Sequence, residues 1–245
     1  MAKSGVGQFV AIGVGPGDPE LLTLKAARLL KAADVVLAPV GERSDRSLAA
    51  EIVASLLDTK RQQLLHLSCP MRSDEADRAE RWAQIAADIA VMVRNKKSVA
   101  FVTLGDPMFY STFLYLYREL QNRYPDVPIA IVPGISSVYA AASLAGIPLG
   151  LVDETFSVVP ATASDVEIET ALSRRCGTVV LLKVYRAFER LRQLLRRLDL
   201  EQNAVYVRRI GLEGEKVMHD LSQVTADDLD YMSLILVRQK GTENV

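Results

Sequence analysis

Three short Gly/Pro-rich segments carry the residue types that could hold a small ligand: Gly13-Val14-Gly15-Pro16-Gly17-Asp18-Pro19, Gly105-Asp106-Pro107, and Pro133-Gly134-Ile135-Ser136-Ser137. Each follows an apolar, β-branched run, and open parallel sheets bind ligands beyond the carboxyl ends of their strands. Glycine at such a place lets a ligand or a second backbone approach closely. Asp106 adds a carboxylate on a turn just past a buried strand. There it could accept hydrogen bonds from a ribose or an amine, or stabilise a cationic ligand such as a sulfonium. Its competing role is an Asx-type cap on a helix that begins near Ser111. Three such loops together point to one shared ligand crevice.

Two familiar phosphate-binding patterns fail on the first loop. A dinucleotide fingerprint needs Gly where this chain has Asp18, and Pro16 and Pro19 remove N–H donors that a pyrophosphate would require. No Gly-Lys-Ser/Thr follows, which excludes a Walker loop. The remaining local explanation is a tight turn after the first strand.

The elements that position these loops alternate between strand and helix, the pattern of a parallel sheet flanked by helices. Gln8–Val14 reads as the first strand, and Thr23 as the N-cap of a helix using Leu24, Ala27 and Leu30 and ending near Asp34. Val35–Ala38 and Gln63–Leu67 read as strands around a helix built on Leu48, Ile52 and Leu56. A helix capped by Ser73 or Asp74 carries Trp82, Ile85, Ile89 and Met92 at helical spacing. Ser98–Thr103 is an almost fully apolar strand, and Phe113, Leu116, Tyr117 and Leu120 mark the next helix. Two prolines in Tyr124–Pro128 stop that helix, and the domain boundary is placed there, giving domains 1–124 and 128–245. Beyond it, Ile129–Val132, Phe156–Val159, Thr178–Lys183, Ala204–Arg208 and Ser233–Val237 read as strands. Helices fall near 136–145, 166–174 and 187–198, and a hairpin-like stretch covers Gly214–Leu221.

With 245 residues the chain fits one large α/β domain or two smaller ones. Its 29 basic and 30 acidic side chains leave a net charge of -1, which removes the broad attraction expected of a general nucleic-acid binder. The apolar runs are far shorter than the roughly 20 residues of a membrane helix. No secretory h-region is visible, so the cytoplasm is the expected compartment. Cys69 and Cys176 form no CxxC and read as reduced, partly buried thiols. His66, in an apolar strand, reads as a core imidazole, and neither it nor His219 has metal-ligand spacing with a cysteine.

The order of the three loops, with Leu21-Leu22-Thr23 after the first, resembles the tetrapyrrole methyltransferases of corrinoid and sirohaem synthesis over almost the whole chain. Within that family, Gly105-Asp106-Pro107-Met108-Phe109-Tyr110-Ser111-Thr112-Phe113, Ala38-Pro39-Val40 and Asp153-Glu154-Thr155-Phe156 resemble the branch that methylates C20 of precorrin-2 or its cobalt form. Leu104 stands where sirohaem-making relatives usually have Gly.

The resemblance implies a two-domain α/β architecture, each domain a mainly parallel or mixed sheet flanked by helices, with the active site in the interdomain cleft. It also implies a homodimer that uses S-adenosylmethionine, the N-terminal domain on the tetrapyrrole side and the C-terminal domain on the cofactor side. Carried over by position, Pro16, Leu104, Gly105, Asp106, Phe109, Ser136 and Ser137 line the methionine and ribose end. Lys183 falls where sirohaem-making relatives often have Met, and Gly211 and Ser233 fall near the adenine. Asp18 and Pro19 face the tetrapyrrole, and Tyr110 is near enough in sequence to reach the cleft.

A substrate with acetate and propionate arms calls for fixed cations. Arg43 and Arg46 are the first candidates, Arg186 and Arg208 the second, against the alternative that each is a solvated loop charge and that the Arg-rich helix 186–197 shows its charges to water. Methyl transfer needs in-line positioning rather than a nucleophilic side chain, and no residue is singled out as the proton acceptor. The alternatives are the same chemistry at another tetrapyrrole carbon, as in uroporphyrinogen III or a later precorrin, and a nucleotide-ligand binding module without turnover.

Overall fold

In the first unit, five six- or four-residue apolar segments become the strands β1 (Gln8–Gly13), β2 (Val35–Val40), β3 (Gln63–Ser68), β4 (Ser98–Thr103) and β5 (Ile129–Val132). The structure is a computed structural model that describes residues 7–41, 46–68, 75–174 and 177–239, with the side chains of 75 and 76 excepted. Arg43, Cys69, Ser73, Asp74 and Cys176 therefore lie outside the described residues. The chain divides into two units after Ser136.

The first sheet is wholly parallel, in the order β3-β2-β4-β1-β5. Its central strands are apolar on both faces because helices cover both. Phe9, Ala11, Val99 and Phe101 pack with Trp82, Ile85 and Ile89 of α3 (Glu75–Arg94) and with Phe113, Leu116 and Leu120 of α4 (Phe113–Arg123). The alternate residues Val10, Ile12, Ala100 and Val102 pack with Ala26 and Leu30 of α1 (Leu24–Ala32) and with Ile52 and Val53 of α2 (Leu48–Val53).

Three expectations need correction here. Thr23 does cap α1, its hydroxyl accepting from the Ala26 amide at 3.1 Å. That phase puts Ala26 and Leu30 on the sheet, and Leu24, two residues before Ala26 and so on the opposite face, is 91% exposed. His66 is exposed: Leu65 and Leu67 turn toward the α3/α4 layer, so the strand period sends His66 the other way on an edge strand. The proline pair ends α4 but does not end the domain. The Phe9 amide donates to Pro128 O at 3.0 Å, and β5 then pairs with β1 from Phe9–Ile129 to Ile12–Val132. The boundary therefore falls after Ser136 rather than at 124–128.

The second unit contains α5 (Ser137–Ala145), β6 (Ser157–Pro160), α6 (Asp165–Ser173), β7 (Thr178–Leu182), α7 (Phe188–Arg197), β8 (Ala204–Arg208), β9 (Lys216–Met218) and β10 (Ser233–Arg238). Its sheet runs β6-β7-β10-β8-β9, with β6 and β7 parallel and the other pairs antiparallel. Ser164 and Glu167 close a capping box at the start of α6. Leu191, Leu194 and Leu195 of α7 are buried, whereas its arginines end in ion pairs with surface carboxylates rather than simply in water: Arg190 with Asp165, Arg192 and Arg196 with Glu201, and Arg197 with Glu169. Among the described residues no helix is long and apolar enough to cross a membrane.

Candidate active site

The strand order decides where the loops go. β4, β1 and β5 are neighbours, so the Gly105, Gly13 and Gly134 segments leave adjacent strand ends. From β1 the chain passes to α1 on one face, and from β4 it passes to α4 on the other. Neighbouring parallel strands whose connections part to opposite faces create the crevice in which open α/β sheets bind ligands.

At that point the three backbones touch. Gly105 N donates to Gly15 O at 2.8 Å, Gly15 N to Gly105 O at 3.4 Å, and Val14 N to Thr103 O at 2.9 Å. A Cβ on Gly13 would stand 2.5 Å from Gly105 O and 2.6 Å from Gly134 N. Only glycine permits that approach. Gly15 and Gly105 also take φ of 80° and 63°, the left-handed region that glycine adopts without strain. The open side of Gly105 differs: a Cβ there would meet nothing nearer than Ser136 Cα at 3.9 Å. The junction is thus closed among Gly13, Gly105 and Gly134 and approachable along Gly105.

Asp106 acts on the backbone at both oxygens. Oδ1 accepts from Met108 N at 2.8 Å, an Asx turn, and Oδ2 accepts from Gly134 N at 3.0 Å. The expected Asx cap therefore serves this loop, not α4. The start of α4 is served by Ser111, whose hydroxyl accepts from Phe113 N at 3.1 Å and lies 2.9 Å from Thr103 Oγ1. Thr103, Ser111 and the Asp106–Gly134 link were not singled out from sequence. A hydroxyl two residues before a helix is the one local signal that could have marked Ser111.

Around this junction, Pro16 is buried and Leu104 is half-buried. Asp18 Oδ1 accepts from Glu20 N at 2.8 Å and starts a short 3-10 turn, while Pro19 is exposed. Phe109 and Tyr110 meet edge to face at 4.9 Å, and Tyr110 is 49% exposed with φ of 50°. A bulky residue in that region is strained, and such strain clusters at ligand sites. Ser136 is buried at the end of the third loop, and Ser137 opens α5.

In the second unit the antiparallel pairing brings three other expected residues to one sheet end. Leu182 pairs with Leu234 and Arg208 with Ser233, so Lys183, Ser233 and the turn after β8 that holds Gly211 are neighbours there. Lys183 is exposed with φ of 60°. Ser233 is buried and its hydroxyl donates to Asp230 O. Gly211 N donates to Glu215 Oε2 at 2.7 Å, so that amide is engaged within its own turn.

Among the arginines, Arg46 is exposed and its Nε donates to Glu51 Oε1 at 2.8 Å. Arg208 corrects the expectation of a carboxylate-binding cation, because it turns inward: Nη1 donates to Asp227 O at 2.8 Å and lies 3.6 Å from Asp228 Oδ1. Asp228 is 5% exposed and receives Lys216 Nζ at 2.6 Å, Thr225 Oγ1 at 2.8 Å and Thr225 N at 3.1 Å. The Lys216 ammonium and then the two Thr225 donors hold its carboxyl down at about 2.

Residues 8–224 match the sequence signature of the Tetrapyrrole (Corrin/Porphyrin) Methylases. The chain belongs to that family. The chain is 35% identical over 236 residues to the cobalt-precorrin-2 C(20)-methyltransferase of Salmonella typhimurium, covering 96% of this chain and 97% of that one. It is 33% identical over 244 residues to the precorrin-2 C(20)-methyltransferase of a Sinorhizobium species, covering 97% of each. The fold matches the uroporphyrin-III C-methyl transferase of Thermus thermophilus, solved with S-adenyl homocysteine, at a TM-score of 0.64 and 25% identity, covering 94% of this chain and 97% of that one.

Proposed function

We propose that this protein is an S-adenosylmethionine-dependent methyltransferase that adds a methyl group to C20 of precorrin-2 or cobalt-precorrin-2 in cobalamin biosynthesis. The observation that carries this reading is 33–35% identity over nearly the whole chain to two C(20)-methyltransferases, one acting on cobalt-precorrin-2 and one on precorrin-2. The metal belongs to the substrate. The reading includes a homodimer working in the cytoplasm.

The glycine junction fits the cofactor because, its chain neighbours apart, only backbone atoms of Ile135 and Ser136 come within 4 Å of where a side chain on Gly105 would begin. When bound, S-adenosylmethionine supplies an activated methyl group on a sulfonium. Pro16, Leu104, Gly105, Phe109 and Ser136 of the first unit are the residues that would hold its methionine and ribose, with Ser137 following in the chain. Lys183, Gly211 and Ser233, gathered at one end of the second sheet, are the candidates for its adenine. Asp18, Pro19, Tyr110 and Arg46 are the candidates for the tetrapyrrole, together with Arg43.

The work of these residues is to bind, orient and exclude alternatives. Holding a ring carbon in line with a methyl group can supply on the order of 7–11 kcal/mol of the barrier. The test is incubation of the purified protein with methyl-labelled S-adenosylmethionine and, separately, precorrin-2, cobalt-precorrin-2 and uroporphyrinogen III. The expected result is one labelled methyl at C20 of a precorrin-2 form, located by NMR. Label entering uroporphyrinogen III alone would replace C20 by another ring carbon, and no cofactor binding at all would leave a binding module.

A further inference from the structure

We propose that Asp106, which the resemblance places at the cofactor, acts there as a positioning residue: its carboxylate staples the second loop to the third and thereby sets the shape of the cradle. This rests on the reading of the junction as a cofactor site. The geometry asks for a carboxylate at this position. Both partners are backbone N–H donors, Met108 N at 2.8 Å and Gly134 N at 3.0 Å, the second contributed by a residue 28 positions away. An ionised carboxyl group is acceptor-only and satisfies both, whereas an amide would turn its NH2 toward one of them.

The staple matters because of what Gly134 touches. A Cβ on Gly134 would stand 2.1 Å from Gly105 O and 2.7 Å from Gly13 Cα, so the third loop has no slack against the other two. Gly13 and Gly105 are already joined through β1 and β4, which pair from Gln8–Ser98 to Gly13–Thr103. The third loop gains its tie to the second through Asp106 Oδ2. The open face of Gly105 ends at Ile135 O and Ser136 Cα, 4.0 and 3.9 Å from where a side chain would begin. Those two atoms belong to the loop that Asp106 holds, so the carboxylate fixes the far wall of the cradle through the Gly134 amide.

The experiment uses the full chain and the variants Asp106→Asn and Asp106→Glu. Amide exchange of Met108 and Gly134 is followed without added ligand, and S-adenosylhomocysteine binding is followed by calorimetry. Loss of one staple bond leaves a donor unsatisfied, which corresponds to roughly a ten- to hundredfold effect. In Asp106→Asn, Gly134 exchange is expected to accelerate by about that factor while β1 and β4 amides stay protected. The Kd for S-adenosylhomocysteine and the KM for the methyl donor are expected to rise by a similar factor, with kcat at saturation changing less. The Glu variant, which keeps the charge but displaces it by one methylene, is expected to fail like Asn. Binding retained by Glu but lost by Asn, or binding weakened with Gly134 protection unchanged, would mean direct ligation by the carboxylate and overturn the proposal. If the Asn variant does not fold, the Glu variant provides both readouts. Wild-type protein that binds no S-adenosylhomocysteine would instead sink the cofactor reading, and Gly134 exchange would still judge the staple.

Discussion

The carbonyl oxygen of Gly105 fills the place where a side chain on Gly134 would begin, 2.1 Å from the ideal Cβ position. Two loops that are distant in sequence are therefore interlocked at the level of their backbones. Gly134→Ala must push the third loop away from the second, since no flexible side chain is there to yield. We expect a loss of about 1–3 kcal/mol of stability, the usual cost of overpacking, and at least a tenfold weaker S-adenosylhomocysteine complex. Thermal unfolding and calorimetry check both. Wild-type affinity in a folded Gly134→Ala protein would show that the junction is not the ligand cradle.

Asp228 gives the second unit an acid-sensitive support. Its carboxyl is held at about 2 against a reference of 3.8. A depressed carboxylate adds stability that is fully present above the unfolded value and is lost as pH falls through the folded one. The contribution, about 2 kcal/mol, should fade between about pH 4 and pH 2. Urea unfolding at a series of acidic pH values should show that slope in the wild type and a shallower one in Asp228→Asn. Equal slopes in the two proteins would remove Asp228 from the explanation.

Gln62 separates stability from site geometry. It is buried, its Nε2 donates to Leu30 O at 2.7 Å and Ala33 O at 2.9 Å, and its Oε1 accepts from Asp58 N at 2.8 Å. These bonds satisfy two carbonyls at the end of α1 and one amide N–H in the turn before β3. Gln62→Ala should cost roughly 1–3 kcal/mol. Affinity for S-adenosylhomocysteine should stay within about twofold of wild type, because Leu30 and Ala33 lie at the end of α1 away from where the chain enters it from the first loop. Calorimetry below the unfolding temperature tests this.

Arg46 and Arg208 should behave oppositely. Arg46 is an exposed guanidinium beside Glu51, and Arg46→Gln is expected to raise the KM for the tetrapyrrole several-fold with little change in stability. Arg208 is turned toward Asp227 and Asp228, and Arg208→Gln is expected to lower stability by about 1–2 kcal/mol with KM unchanged. Steady-state kinetics at fixed cofactor, paired with urea unfolding, distinguish the two, and a KM effect confined to Arg208 would reverse the assignment.

What the sequence determined by itself was local. Apolar runs such as Ser98–Thr103 and Ala204–Arg208 became strands over the expected residues, and Thr23 capped its helix as its hydroxyl allows. The three loops were visible because glycine, proline and aspartate after a β-branched run leave few backbone alternatives. The tertiary structure decided everything that depends on which strand lies beside which. β5 joined the first sheet despite the prolines before it, because free ladder positions along β1 outweigh a local stop signal. The same pairing made one junction of three glycines and gave Asp106 a second donor 28 residues away. Elsewhere, the placing of β3 at a sheet edge left His66 to solvent, and the packing around β8 turned Arg208 inward. A side chain's partners lie across the fold, and spacing along the chain carries no record of them until the strands are in order.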